Sequence, residues 1–463
     1  MIQFRVSRLA GAVLVAAMLA TAGCSSPFGT PLGTPQNVPQ LIQLRPDVQP
    51  DAHRIKHVVV IVQENRSVDN LFNGFPGADT VQSGKNSRGQ TVQLVSTPLT
   101  APYDISHKHS AWVQDDANGQ MDGFDTETEN CYSKSSYKCP RADVASYGYV
   151  PRGDVQPYWD LAGQYTFGDR MFQTNQGPSF PAHQYIVSAT SAISDRSNLK
   201  AAENPSDPQG RQRQGGCDSL QDATVVTIDP KGNEATAVFP CFVRDSIFRL
   251  MNVKGVSWHY YQEFHGSGEW HAVDALKPIW QGRSYQNVVW PSSKVLKDVA
   301  AGQLSDVTFV TPSSDESDHP AKNNGTGPSW VASIVNAIGN SPYWSNTAIF
   351  VIWDDWGGWY DHVPPTVYNS YEDGFRVPLI VISPYAKQGH VSHVRYEFGS
   401  ILKFIEKTFD LGSLGRTDVR SHDLTDCFSF NRKPRPFTQI RTKYSASYFE
   451  NQPIDYNTPD DDF

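Results

Sequence analysis

The stretch from Thr347 to His362 constrains the fold more than any other. Thr347-Ala348-Ile349-Phe350-Val351-Ile352-Trp353 is a continuous apolar, β-branched run, the pattern of a strand buried on both faces. It stops at two adjacent carboxylates, Asp354 and Asp355, and then at Gly357-Gly358. Glycines there let the backbone turn sharply and approach whatever the acids hold. Two neighbouring anions at the end of a buried strand repel each other and are costly to desolvate, and a cation removes that cost. The alternative is a pair of solvated loop acids, and the rest of the chain decides between them.

Similar runs recur. His57-Val58-Val59-Val60-Ile61-Val62-Gln63 ends at Glu64-Asn65. Asp306-Val307-Thr308-Phe309-Val310-Thr311 leads through an acidic loop to His319, and His259 lies at the end of a fourth run, from Gly255 to Tyr261. Val377 to Pro384 is a further strand. Between them lie helical patterns: one starting at Gly177-Pro178-Ser179-Phe180-Pro181, one over Trp330, Ile334 and Ile338 capped by Ser329, and one over Phe398, Leu402 and Ile405. Strands alternating with helices predict an α/β fold with a mostly parallel central sheet and helices on both faces. Loop insertions are expected at about 80–150 and 195–240, and a polar, peripheral tail after about residue 430.

The chain has 463 residues and a net charge of −9, which argues against a nucleic-acid surface. Arg5 and Arg8 precede a short apolar segment, Leu9 to Ala20, that ends in Thr21-Ala22-Gly23-Cys24. This is the pattern of an export signal over residues 1–23, with Cys24 as a lipidated first residue that would anchor the protein to the outer or cytoplasmic membrane. Ordinary cleavage nearby, giving a periplasmic or secreted protein, is the alternative. Residues 24–52 read as a flexible tether, and 53–463 as a single domain. In an extracytoplasmic protein, Cys131 with Cys139 and Cys217 with Cys241 are expected to staple two polar loops, leaving Cys427 free.

In parallel α/β sheets ligands bind beyond the carboxyl ends of the strands. Glu64, Asn65, Asp354 and Asp355 would converge there as an oxygen-rich cage for one divalent ion, Ca²⁺, Mg²⁺ or Mn²⁺. His259 and His319 would ligate Zn²⁺ instead, or bind and protonate an anionic substrate; each on its own is equally a hydrogen-bonded core histidine. Ser179 at a helix amino terminus has backbone N–H groups and the positive end of the helix dipole beside it, which favour a phosphate. A metal beside it would activate the hydroxyl; without one, it is a plain helix cap.

These residues resemble a known family. Glu64-Asn65-Arg66-Ser67 after the first strand, His109-Ser110 followed by Gly119-Gln120-Met121-Asp122-Gly123-Phe124, Gly177-Pro178-Ser179-Phe180-Pro181, His319-Pro320, Asp354-Asp355 through Asp361-His362-Val363-Pro364-Pro365, and Arg376-Val377-Pro378 through Ser383-Pro384-Tyr385 look like the bacterial phosphoesterases. That family includes phosphatidylcholine-type phospholipases C and acid phosphatases and belongs to the alkaline-phosphatase-like superfamily. The resemblance runs from about His57 to Phe430. It implies an alkaline-phosphatase-like fold, a phosphate ester as substrate, metal ligands Glu64, Asn65, Asp354 and Asp355, and Ser179 as nucleophile. It also implies a phosphoryl pocket lined by His109, His259 and His319, with His362 orienting the Asp354 loop. Phospholipase members usually carry Thr at the nucleophile, Asn where Ala182 stands and Glu where Asp355 stands. Ser179 and the Asp-Asp pair look more like the acid phosphatase branch. A phospholipase C acting on head groups, a sulfatase and a catalytically silent surface lipoprotein are the alternatives. His183, where a sulfatase has Arg, argues against the second.

Overall fold

The apolar runs form the middle of one sheet. The computed structural model of the chain describes residues 54–132, 137–208 and 214–457. Nine strands pair in that sheet: β1 (His57–Gln63), β2 (Thr166–Phe172), β3 (Trp258–Tyr261), β4 (Val288–Val289), β5 (Val307–Val310), β6 (Thr347–Trp353), β7 (Arg376–Ile382), β8 (His390–Ser392) and β9 (Tyr396–Glu397). Their order in space is β4-β3-β5-β1-β6-β7-β2-β8, with β9 also paired to β2. From β4 to β6 every neighbouring pair is parallel. β7 runs antiparallel to β6 and β2, so β2, β8 and β9 resume the direction of β1.

Helices cover both faces. Among them are α1 (His109–Asp116), α2 (Gln156–Gln164), α3 (Ser179–Ser188), α4 (Gly327–Gly339) and α5 (Phe398–Thr408). α2 packs on α4, and α3 on α5. Side chains alternate along a strand, so Phe350 and Trp353 of β6 point to opposite faces. Phe350 meets Phe404 of α5 edge-on at 5.1 Å, and Trp353 meets Tyr158 of α2 at 5.0 Å.

One register sets up the site. β1 pairs with β6 from His57↔Thr347 to Gln63↔Trp353. The two strands therefore release Glu64 and Asp354 side by side.

The segment 80–150 is not idle surface. Leu94, Trp112, Met121, Phe124 and Tyr147 pack with Trp356, Tyr360 and Phe375, and so cover the loop that follows β6. The segment 195–240 contributes a small three-stranded sheet of Lys200–Ala201, Val225–Ile228 and Glu234–Val238. The disulfides Cys131–Cys139 and Cys217–Cys241 form as expected, and Cys427 is a buried free thiol.

Two expectations need correction. The tail after residue 430 is not peripheral: Ile440 and Phe449 are buried, Phe449 sits 5.3 Å from Trp330 of α4, and Phe437 sits 5.0 Å from Trp344. Ser329 is not the cap of α4, whose N-cap is Thr326; its hydroxyl instead accepts from the Lys443 backbone N–H at 3.1 Å and holds the tail. Cys24, the export signal and the tether lie outside the described residues. No described helix is long and apolar enough to cross a membrane.

Candidate active site

Asn65 is the hub. It follows β1 directly and adopts a left-handed backbone, φ +56°, which asparagine tolerates better than most residues. Its backbone N–H donates to Asp354 Oδ1 at 3.0 Å. Its amide Nδ2 donates to Asp355 Oδ1 and Oδ2 at 3.1 and 3.2 Å, and lies 3.0 Å from His107 Nε2 and 3.4 Å from Ser179 Oγ. All of these side chains are fully buried or nearly so. The loop after β6 closes on the hub because Gly357, at φ +62°, lies where any Cβ would run into the Asn65 carbonyl oxygen. Its N–H donates to Asp355 Oδ1 at 2.7 Å and fixes that carboxylate.

Ser179 opens α3, one residue after the N-cap Pro178. Its hydroxyl does not cap the helix. It donates to Asp355 Oδ2 at 3.1 Å. One turn further on, His183 places Nε2 3.2 Å from Glu64 Oε1 and 3.7 Å from Asp354 Oδ2. Residues four apart share a helix face, so Ser179 and His183 reach the same site from one rigid element. Burial, partly opposed by the Asp354 charge, lowers the His183 pKa to about 4.

The histidines expected in the pocket part company. His319 belongs to it: it is fully buried, its ring lies 6.0 Å from that of His107, and its Nδ1–H donates to the Pro320 carbonyl at 2.8 Å. That bond leaves Nε2 as the basic nitrogen. His109 is held elsewhere, with Nδ1 2.5 Å from the Gln176 carbonyl and Nε2 3.8 Å from Glu234, and burial lowers its pKa. The histidine that touches Asn65 is His107, two residues earlier, whose Nδ1–H donates to the Ile105 carbonyl at 2.7 Å.

His259 lies away from the site. β3 begins only at Trp258, so His259 is near its amino end, level with Thr308 and Val59 and 3.2 Å from Ser305 Oγ. Glu64 is five residues further along, roughly 16 Å at about 3.3 Å per residue. His362 does not touch Asp354. Its backbone N–H and Nδ1 reach Asp69 Oδ2 at 2.9 and 2.6 Å, and Nε2 lies 3.2 Å from Asp79, so it ties the far end of the loop to the single helical turn Val68–Leu71.

Sequence reading missed His107 and His183. His183 carried a usable signal, its four-residue spacing from Ser179. His107 carried none that separates it from His109.

The donor set suits a cation. Glu64, His183 and Asp354 bring one ligand atom each within 4.8 Å of the others. Among the described residues, Asp354 Oδ2 and Asn65 Oδ1 are buried and accept no hydrogen bond. Buried acceptors without donors are destabilising, and a divalent ion would satisfy both.

A sequence model of the phosphoesterase family matches residues 55–412. Hemolytic phospholipase C of Pseudomonas aeruginosa is 25% identical over 439 residues, which cover 81% of this chain and 56% of that protein. Phospholipase C B of Mycobacterium tuberculosis is 25% identical over 454 residues, 82% of this chain and 79% of that one. Non-specific phospholipase C1 of Arabidopsis thaliana is 24% identical over 436 residues, 82% and 72%. The chain spans little more than half the length of the two P. aeruginosa relatives, 56% and 59%. A solved structure from the alkaline phosphatase superfamily of Vibrio parahaemolyticus covers 79% of the chain and 70% of its own, at 9% identity and a TM-score of 0.33, a distant likeness on which nothing further rests. A family match over residues 55–412, running through the strands that carry Glu64 and Asp354 and the helix that carries Ser179, means that this chain belongs to the phosphoesterase family.

Proposed function

We propose that the chain is an exported, metal-dependent hydrolase of phosphoric esters that works through Ser179. The observation that carries this is the Ser179 hydroxyl, donated to Asp355 at the amino end of α3 and flanked by Glu64, Asp354 and His183. Asp355 polarises and aims the Ser179 oxygen. Attack on phosphorus forms the Ser–O–P bond as the bond to the alcohol oxygen breaks. Asp355 takes the Ser179 proton, and His319, protonated at Nε2, gives one to the leaving oxygen; in the second step His319 takes a proton from the water that hydrolyses the phosphoserine, and Asp355 returns its own to the Ser179 oxygen. The positive end of the α3 dipole lies beside Ser179 and would favour the charge that builds on the non-bridging oxygens. A divalent ion held by Glu64, Asp354 and the neighbouring Asn65 and Asp355 oxygens would supply Lewis acidity, lowering the hydroxyl pKa and neutralising phosphoryl charge.

Export is supported by the signal-like amino terminus and by two disulfides, which persist in oxidising compartments. Anchoring through a lipidated Cys24 belongs to the same reading. Cleavage of phospholipid head groups is the second reading, favoured by the names of the three relatives. A panel of aryl phosphate, bis-aryl phosphate and phosphatidylcholine, each with and without chelator, tests both. Turnover of the aryl phosphate that chelator abolishes and metal restores is expected. Turnover only of phosphatidylcholine moves the assignment to the second reading, and no turnover of any of the three leaves a silent surface protein.

A further inference from the structure

The ligand cage drawn from the sequence is made of oxygen alone. The structure adds a nitrogen to it. His183 Nε2 stands 3.2 and 3.4 Å from the two Glu64 oxygens and 3.7 Å from Asp354 Oδ2. The histidine side chain is 1% exposed and the two carboxylates are fully buried. We infer that His183 is a ligand of the divalent ion, and that the site selects a borderline first-row ion of the manganese-to-zinc class over calcium and magnesium. This rests on the metal-dependent reading above and adds the identity of the ion.

The alternative role for His183 is a hydrogen-bond donor to Glu64. That role does not balance. A neutral imidazole has one Nε2 proton to offer, and two carboxylates face it. Asp354 Oδ1 accepts from the Asn65 N–H, but Oδ2 stays buried without a donor among the described residues, and an unsatisfied buried acceptor is destabilising. An ion among the three groups satisfies all of them. Ligand atoms at about 2.1 Å from a four- or six-coordinate ion lie roughly 3.0–3.4 Å apart, the spacing of His183 Nε2 from Glu64, and Asp354 Oδ2 at 3.7 Å stands just outside it.

The nitrogen then decides the class of ion. Calcium and magnesium take oxygen donors, whereas imidazole suits iron and zinc, and manganese, which favours carboxylates, accepts an imidazole beside them. The element that carries the nitrogen also matters. His183 sits one turn after Ser179 on α3, so the same helix would present both the nucleophile and a ligand, and their separation is fixed by helix geometry.

The test uses the whole protein, stripped with chelator and dialysed against equal concentrations of Mn²⁺, Zn²⁺, Ca²⁺ and Mg²⁺, with retained metal measured by elemental analysis. Wild type is expected to keep close to one Mn²⁺ or Zn²⁺ per chain. His183→Gln should lose at least tenfold of that preference, while His259→Gln, far from the site, should keep it. Electron spin-echo spectra of the Mn²⁺-loaded wild type should show coupling to a bound imidazole nitrogen that His183→Gln abolishes. Absence of that coupling in wild type overturns the inference even if the variant fails to fold. Retention of Ca²⁺ or Mg²⁺ alone, equally in both proteins, overturns it while leaving metal-dependent hydrolysis intact. A wild type that retains no ion overturns the metal-dependent reading itself.

Discussion

At the scale of single residues, Ser179 is the point where the chemistry and the fold separate. Its hydroxyl bonds Asp355 and not the α3 backbone, so removing it costs the helix little. Ser179→Ala should lower kcat by about a thousandfold or more, because a covalent route is lost, with a much smaller change in KM. Ser179→Thr should retain part of the activity. Steady-state kinetics on an aryl phosphate and mass detection of phosphoserine after acid quench measure this; near wild-type kcat in Ser179→Ala would make water the nucleophile. Asp354→Asn should instead lower bound metal together with kcat and raise KM, read by elemental analysis on the same samples. That Glu64, Asn65, Asp354 and Asp355 come together was legible in the sequence because each pair follows an apolar strand, and strand ends in such a sheet share an edge. Two of the histidines off the strands, His107 and His183, were not. His107-Lys108-His109 offers two imidazoles two positions apart, and only the packing of α1 shows which one turns to Asn65.

At the scale of elements, the loop from Asp354 to His362 is held at both ends by contacts a sequence hides. Gly357→Ala would force the loop off Asn65 and loosen the bond that aims Asp355. Lower metal affinity and at least tenfold lower kcat/KM are expected, with a circular dichroism spectrum like wild type. At the other end, burial opposes the charge on His362, but the hydrogen bond and charge of Asp69 outweigh it and raise its pKa above the ordinary 6.5. A group whose folded pKa is raised contributes stability that is full below its unfolded pKa and lost as pH climbs through the folded one. Melting temperature should therefore fall as pH rises from about 6 through the raised pKa, and that slope should flatten in His362→Gln. An equal slope in the variant would remove His362 from the account. Strand direction belongs to this scale too. The run from Val377 to Pro384 reads as one more apolar strand, yet β7 runs antiparallel to β6. Apolar patterning reports burial on both faces and carries no sign of direction, which the connecting loop sets. His259 was misplaced for a related reason: the run from Gly255 fixes no starting residue, and a start at Trp258 moves the histidine from the end of β3 to its beginning.

At the scale of the whole molecule, the carboxyl-terminal segment turns out to be part of the fold. Its composition is polar, but its few large apolar side chains fall where α4 lacks cover. Phe449 is fully buried against Trp330, itself fully buried, and Ile440 is nearly so. Polar bonds fasten the same segment, with Asn336 donating to the Ile440 carbonyl at 2.9 Å and Ser329 accepting from Lys443. Mean polarity hid this because a segment that packs one side chain per turn against a helix needs few apolar residues. Truncating one of them tests the claim. Phe449→Ala removes a buried ring and leaves a cavity beside Trp330, a change that costs about 3 kcal/mol or more. The ring faces α4 and touches none of Asn65, Ser179, Asp354 or Asp355, so kcat at 25 °C should stay within about twofold of wild type, as expected of a core truncation remote from the chemistry. Denaturant unfolding followed by tryptophan fluorescence, run beside the kinetic assay, separates the two quantities. A loss of stability with kcat preserved places the tail in the core. Stability unchanged to within about 0.5 kcal/mol, the range of ordinary surface substitutions, would return the segment to the periphery that its composition suggests.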